Sequence, residues 1–187
     1  MEQNVSMKIN ELPSPTWNWL KVNETPIKWS NKIEPCEIAA EGDAVSTETE
    51  QLSDIETGAG READAIFATE NTAKYQILAD NAGQDKTVRL HISGKKDAHT
   101  AGCVEIVAKE NSTLTVVMDS RVAPDATKEE DSTAEASLAV RVRMKVESGA
   151  SVRLVQVQMP QEHETLLSDI GGNLIGEGAK VEYIPVS

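Results

Sequence analysis

The stretch Ala136-Ser-Leu-Ala-Val-Arg-Val-Arg-Met-Lys-Val146, followed by Glu147-Ser-Gly-Ala150 and Ser151-Val-Arg-Leu-Val-Gln-Val-Gln158, decides how the chain is read. Leu138, Val140, Val142, Met144 and Val146 fall on one face, and Ser137, Ala139, Arg141, Arg143 and Lys145 on the other. A two-residue period of this kind predicts a strand with one face buried and one face wet. Glu147 to Ala150 reads as a short turn, because Gly149 takes a positive φ at little cost. In the segment that follows, Leu154-Val155 interrupts the alternation, which predicts a bulge or corner.

Upstream, the same pattern recurs. Val88, Leu90 and Ile92 alternate with Thr87, Arg89 and His91, and Val104, Ile106 and Ala108 alternate with Cys103, Glu105, Val107 and Lys109. Leu114, Val116 and Met118 follow the turn Glu110-Asn-Ser112, and Asp119 to Glu135 reads as an exposed, acid-rich excursion. Leu166 to Ile175 contains Gly171-Gly172, and a last strand begins after Gly176-Glu-Gly178. Three turns resemble one another: Glu110-Asn-Ser-Thr-Leu114, Glu147-Ser-Gly-Ala-Ser-Val152 and Glu177-Gly-Ala-Lys-Val181. Their acidic residues stand 37 and 30 positions apart. Removing roughly ten residues of loop from the first interval brings the two close, as in a repeat of about thirty residues. Such a repeat suggests coils stacked into a β-solenoid or a rolled sheet, each covering the apolar face of the last. No helical period separates the strands, which disfavours a doubly wound α/β fold.

At 187 residues the chain is one domain or a domain with appendages. Aromatic residues make up only 3%, so the core must be built from Val, Leu, Ile and Ala, which suits a sheet. A net charge of -13 argues against sequence-independent nucleic-acid binding and against an anionic membrane surface. No apolar run reaches the length of a spanning helix, and Met1 to Ile9 lacks the apolar centre of a signal peptide, so the expected location is cytoplasmic. Two cysteines, Cys36 and Cys103, are too few for a disulfide framework.

Three regions are expected. Residues 1–35 form an amino-terminal arm holding Trp17, Trp19 and Trp29, with prolines that break any long helix at its start. The arm docks aromatic side chains on the body or, alternatively, lines a ligand site. Residues 36–72 read as an acidic linker with room for a short helix: nine acids from Glu37 to Asp64 face one basic residue, Arg61. Residues 73–187 form the β core.

The search for chemistry is mostly negative. No Gly-rich phosphate loop, nucleophile elbow or Cys-x-x-Cys pair is present. His91, His99 and Cys103 could bind a soft or borderline metal if the fold brought them together. The simpler reading is surface histidines and a half-buried thiol. Cys36, at the entry to the acidic stretch, and His163, between Glu162 and Glu164, have equally plain readings. No catalytic, cofactor-binding or metal-ligating residue is therefore assigned.

Two segments carry a family resemblance: Leu12-Pro-Ser-Pro-Thr-Trp-Asn-Trp-Leu-Lys-Val-Asn23, and the strand series around Gly149 to Gln158 and Leu166 to Tyr183. With these the chain resembles the SufB/SufD family of iron–sulfur cluster assembly proteins, nearer to SufD. The resemblance implies a right-handed parallel β-helix with a small irregular or helical amino-terminal region, punctuated by Gly/Asn-Ala-x-Val/Leu turns. It also implies a non-enzymatic scaffold that works with SufB-like and SufC-like subunits, the iron–sulfur cluster being built at the SufB–SufD interface. Family members continue through more coils into a carboxy-terminal SufC-binding region, and the cluster-site cysteine and histidine lie in that later part. The expectation is an amino-terminal portion of a SufD-like protein, with a terminal coil open to self-association. The alternative is an unrelated β-solenoid or β-sandwich binding module.

Overall fold

The computed structural model describes residues 4–9, 25–43, 51–68, 70–80, 82–122, 136–161 and 164–187. Trp17, Trp19, His163 and residues 123–135 of the acidic excursion lie outside the described residues. Strands β1 (Asn4–Ile9) and β2 (Thr25–Ser30) pair antiparallel. They are followed by β3 (Glu34–Pro35), β4 (Glu37–Gly42) and helix α1 (Arg61–Phe67). Next come β5 (Ala73–Ala79), β6 (Asp85–Ser93), β7 (His99–Ala108) and β8 (Thr113–Arg121). The chain ends with β9 (Ala136–Val146), β10 (Ser151–Gln158), β11 (Glu164–Leu174) and β12 (Lys180–Val186).

From β5 onward the strands alternate between two sheets. One has the order β12-β10-β8-β6-β4; the other runs β11-β9-β7, with β3 and β5 both on the far edge of β7. From β7 on, each strand lies parallel to the strand two before it. The antiparallel β4 closes the β6 edge. Facing residues are 28 or 29 positions apart, except across the 123–135 connection, where the step is 38. The protein is thus mainly β, as its alternating pattern requires.

The inward faces hold the residues read as apolar. Val88, Leu90 and Ile92 of β6, Leu114, Val116 and Met118 of β8, and Val152 and Leu154 of β10 meet Val104 and Ile106 of β7 and Leu138, Val140, Val142 and Val146 of β9. All are buried, and each contributes about 1.5–3 kcal/mol relative to exposure.

The turns at one end of the strands stack as well. Lys109 N–H donates to Ala79 O at 2.8 Å, Glu147 N–H to Ala108 O at 2.9 Å, and Ile175 N–H to Val146 O at 2.8 Å. A left-handed residue recurs in each turn: Gly83 (φ 78°), Asn111 (59°), Gly149 (67°) and Gly178 (76°). The repeating feature is this positive-φ position, which Gly and Asn tolerate, rather than the acidic residue. Glu147 accordingly lies over Lys109, with a 2.9 Å ion pair, and not over Glu110.

Four expectations are corrected. β10 pairs with β8 and β12 in unbroken register and has no bulge. Gln156 simply takes an inward place: it is fully buried, and its Oε1 accepts from Ser168 Oγ (2.9 Å) and Tyr183 Oη (2.8 Å). The outer face of β9 is not wet, since Ser137, Ala139 and Arg141 are buried. Residues 36–72 are no solvated linker in their described part; β4 joins a sheet, and Leu52, Ile55, Ala59, Ala63, Ile66 and Phe67 are buried. The acids Asp54, Glu56, Glu62 and Asp64 stay exposed, so apolar burial on one side is compatible with charge on the other. Finally, the described part of residues 1–35 is strand rather than irregular or helical. No helix among the described residues is long and apolar enough to cross a membrane.

Candidate functional site

The outer face of the β5-β7-β9-β11 sheet is organised by register. Lys74, Cys103, Arg141 and Asp169 stand side by side across it, and Gln76, Glu105, Arg143 and Gly171 form the next row. Residues 51–68 lie over the β9–β11 part of these rows. Asp169, fully buried, holds them there: Oδ1 accepts from Ala59 N–H (2.8 Å), and Oδ2 from Thr57 Oγ1 (2.7 Å) and Arg141 Nε (2.7 Å). Arg143 Nε donates to Ile55 O at 3.1 Å. Gly171 is required by close approach, since a Cβ there would stand 2.1 Å from Glu56 O. The Arg141 guanidinium lies 4.2 Å from the Phe67 ring centre, and its Nη2 is 2.8 Å from Asp64 Oδ1. Arg141 is 3% exposed, so this buried cation depends on Asp169 and Asp64 for compensation.

Beside this cover, over β5 and β7, a cleft of about 570 Å³ remains open. Cys103 lines it, with Lys74, Arg141 and Arg143 contributing positive charge and Asp64, Glu70 and Glu105 negative charge. Phe67 forms an apolar wall, and Gln76 Nε2 donates to Glu105 Oε2 at 2.6 Å. Burial pushes the Cys103 thiol up; Arg141 and Arg143 pull it the other way, and Glu105 adds to the rise. The arrangement can receive a small polar ligand and orient it by charge.

The fold does not bring His91, His99 and Cys103 together. His91 lies on the outer face of the other sheet, with Nε2 3.9 Å from Glu41 Oε2 and Nδ1 3.8 Å from Asp119 Oδ2. His99 and Cys103 share β7 but stand four residues, about 13 Å, apart along it. His99 Nδ1 meets Ser137 Oγ, and its ring packs at 5.7 Å on Trp29. This Ser–His contact, absent from the sequence reading, joins β7 to β9; Ser137 is buried. No group of three or more His, Cys, Asp or Glu side chains suited to a metal ion occurs among the described residues. Trp29 lines no ligand site: it is fully buried with Met7, Ile9, Ala101 and Ala139, a docked aromatic anchor. Burial pushes the Cys36 thiol up to about 12, as befits a side chain in the inter-sheet core.

Sequence reasoning missed the cleft because its residues come from the 51–70 segment and from three strands joined only by the 29- and 38-residue offsets. The outward charged positions of successive strands were the available signal. No family model, no curated protein and no solved structure matches the chain.

Proposed function

We propose that the chain is a SufD-like scaffold, a right-handed parallel β-helix that holds partner subunits in the cytoplasm rather than turning over a substrate. The observation that carries this reading is the parallel register of successive strands with a left-handed residue at each stacked turn. That arrangement agrees with the Gly/Asn-punctuated turns of the SufB/SufD resemblance. The two ends of the stack differ. β4 covers one edge, whereas β12 has no partner on its outer edge among the described residues, with Leu174, Ile175, Tyr183 and Val186 all more than two-fifths exposed nearby. An unpaired parallel edge with apolar neighbours is a pairing surface. SufB-like and SufC-like subunits are the proposed partners, and an iron–sulfur cluster is the cargo of the whole complex.

Co-expression with SufB-like and SufC-like proteins, followed by size-exclusion chromatography, tests this. Co-elution with the SufB-like subunit is expected, and it should weaken when Ile175 and Val186 are both changed to Lys. Independent elution of all three proteins, also with a longer form of this chain, would overturn the assignment. The cleft over Cys103 favours the second reading, an unrelated β-solenoid binding module, which would bind a ligand without these partners.

A further inference from the structure

The cleft beside the 51–68 cover is lined by three cations, Lys74, Arg141 and Arg143, and three acids, Asp64, Glu70 and Glu105, in a chain that carries 31 acidic against 18 basic residues. Lys74 and Arg141 flank Cys103 in the same register row, one on each side, and Arg143 stands in the next row. Neither Lys74 nor Arg143 makes an ion pair with a described residue. Arg141 is 3% exposed and already compensated by two carboxylates, Asp169 at Nε (2.7 Å) and Asp64 at Nη2 (2.8 Å), so Lys74 and Arg143 are the cleft cations without a described ion partner. Of the acids in the cleft, Asp64 is paired with Arg141, and Glu105 accepts from the Gln76 amide. Glu70 is exposed. The volume of about 570 Å³ falls in the range of small-molecule sites.

We infer that this cleft binds a small organic anion, its carboxylate or phosphate oxygens seated over Cys103 between Lys74 and Arg143. Phe67 offers an apolar surface to the rest of the ligand. The site is independent of the scaffold reading; a β-helix that bound no SufB-like partner would still have it.

Cys103 serves as a built-in reporter. In the full chain, its alkylation by iodoacetate (an anion) is compared with that by iodoacetamide (neutral), read by peptide mass and normalised to the urea-unfolded chain. In both reactions the thiolate forms the S–C bond and iodide leaves, so thiol acidity cancels in the ratio. The normalised ratio should exceed one by about fivefold, the attraction of one or two cations at close range in water. It should fall toward one in Lys74→Gln and in Arg143→Gln, and inorganic phosphate should slow the reaction more than sodium chloride of equal ionic strength. A ratio near one, or equal effects of phosphate and chloride, would overturn the inference. An amide chemical-shift titration with inorganic phosphate reads the site without thiol chemistry. Shifts at residues 74, 103 and 143 that disappear in Lys74→Gln support the site, and their absence in the parent chain refutes it.

Discussion

Asp169→Asn isolates the interaction that fastens residues 51–68 to the sheet. The carboxylate is 1% exposed and accepts from Thr57, Ala59 and Arg141. Its neutral replacement leaves a buried guanidinium with one exposed counter-ion, Asp64, whose side chain is 58% exposed. Removing one partner of a buried pair costs about 3–5 kcal/mol, and the residual Asp64 contact places this case near the lower bound, about 3 kcal/mol. For a chain of this size that lowers Tm by about 6–12 °C. Asp64→Asn, at a screened surface position, should cost under about 1 kcal/mol. Urea titration gives the energies, and hydrogen exchange gives the location. Amides of 55–68 should lose protection in Asp169→Asn, while those of β8 and β10 keep it. Equal losses for the two variants, or unchanged exchange in 55–68, would refute the view that Asp169 is the fastening point.

Other predictions concern the turns, the core thiol and the open edge. Gly149→Ala combines φ 67° with a Cβ 2.3 Å from Asn111 Oδ1, and should cost about 2 kcal/mol or more in urea unfolding. Asn111→Gly, at the equivalent left-handed position, should stay within about 0.5 kcal/mol. Folding raises the Cys36 thiol from 9.0 to about 12, so it disfavours the thiolate. The resulting stability is full below pH 9 and is lost as pH climbs toward 12, where the unfolded thiol ionises first. Cys36→Ala should flatten the alkaline stability profile in that window by up to about 1.4 kcal/mol per pH unit. Ile175→Lys with Val186→Lys should lower self-association in sedimentation equilibrium; a parent chain that is monomeric at every concentration would remove the open edge as a self-pairing surface.

The inner face of the stack was legible because burial on one side of a strand leaves a two-residue signature, as at Leu138 to Val146. That signature says nothing about whether the second face is also covered. Ser137, Ala139 and Arg141 therefore passed as wet. Their cover was hidden in turn, because Leu52, Ile55, Ala63 and Ile66 are spread among acids that dominate any charge count. Gln156 defeated the pattern differently: a polar side chain with two hydroxyl donors occupies an apolar slot, so a regular strand looked interrupted. The stacked turns were found, but through the wrong residue. Their backbone conformation repeats while the residue supplying it switches between Gly and Asn.

Among the described residues, no strand apart from β1 and β2 pairs with its neighbour in the chain. During synthesis at about 5–20 residues per second, a partner 28 positions downstream leaves the ribosome roughly 1–6 s after the strand it must join. Each new strand therefore has bare backbone groups on one edge until its later partner emerges, while the strands already paired offer a template on the other. The two sheets should thus grow strand by strand from the β4 end, and the last strand to emerge is the place where a chaperone would gain most by binding.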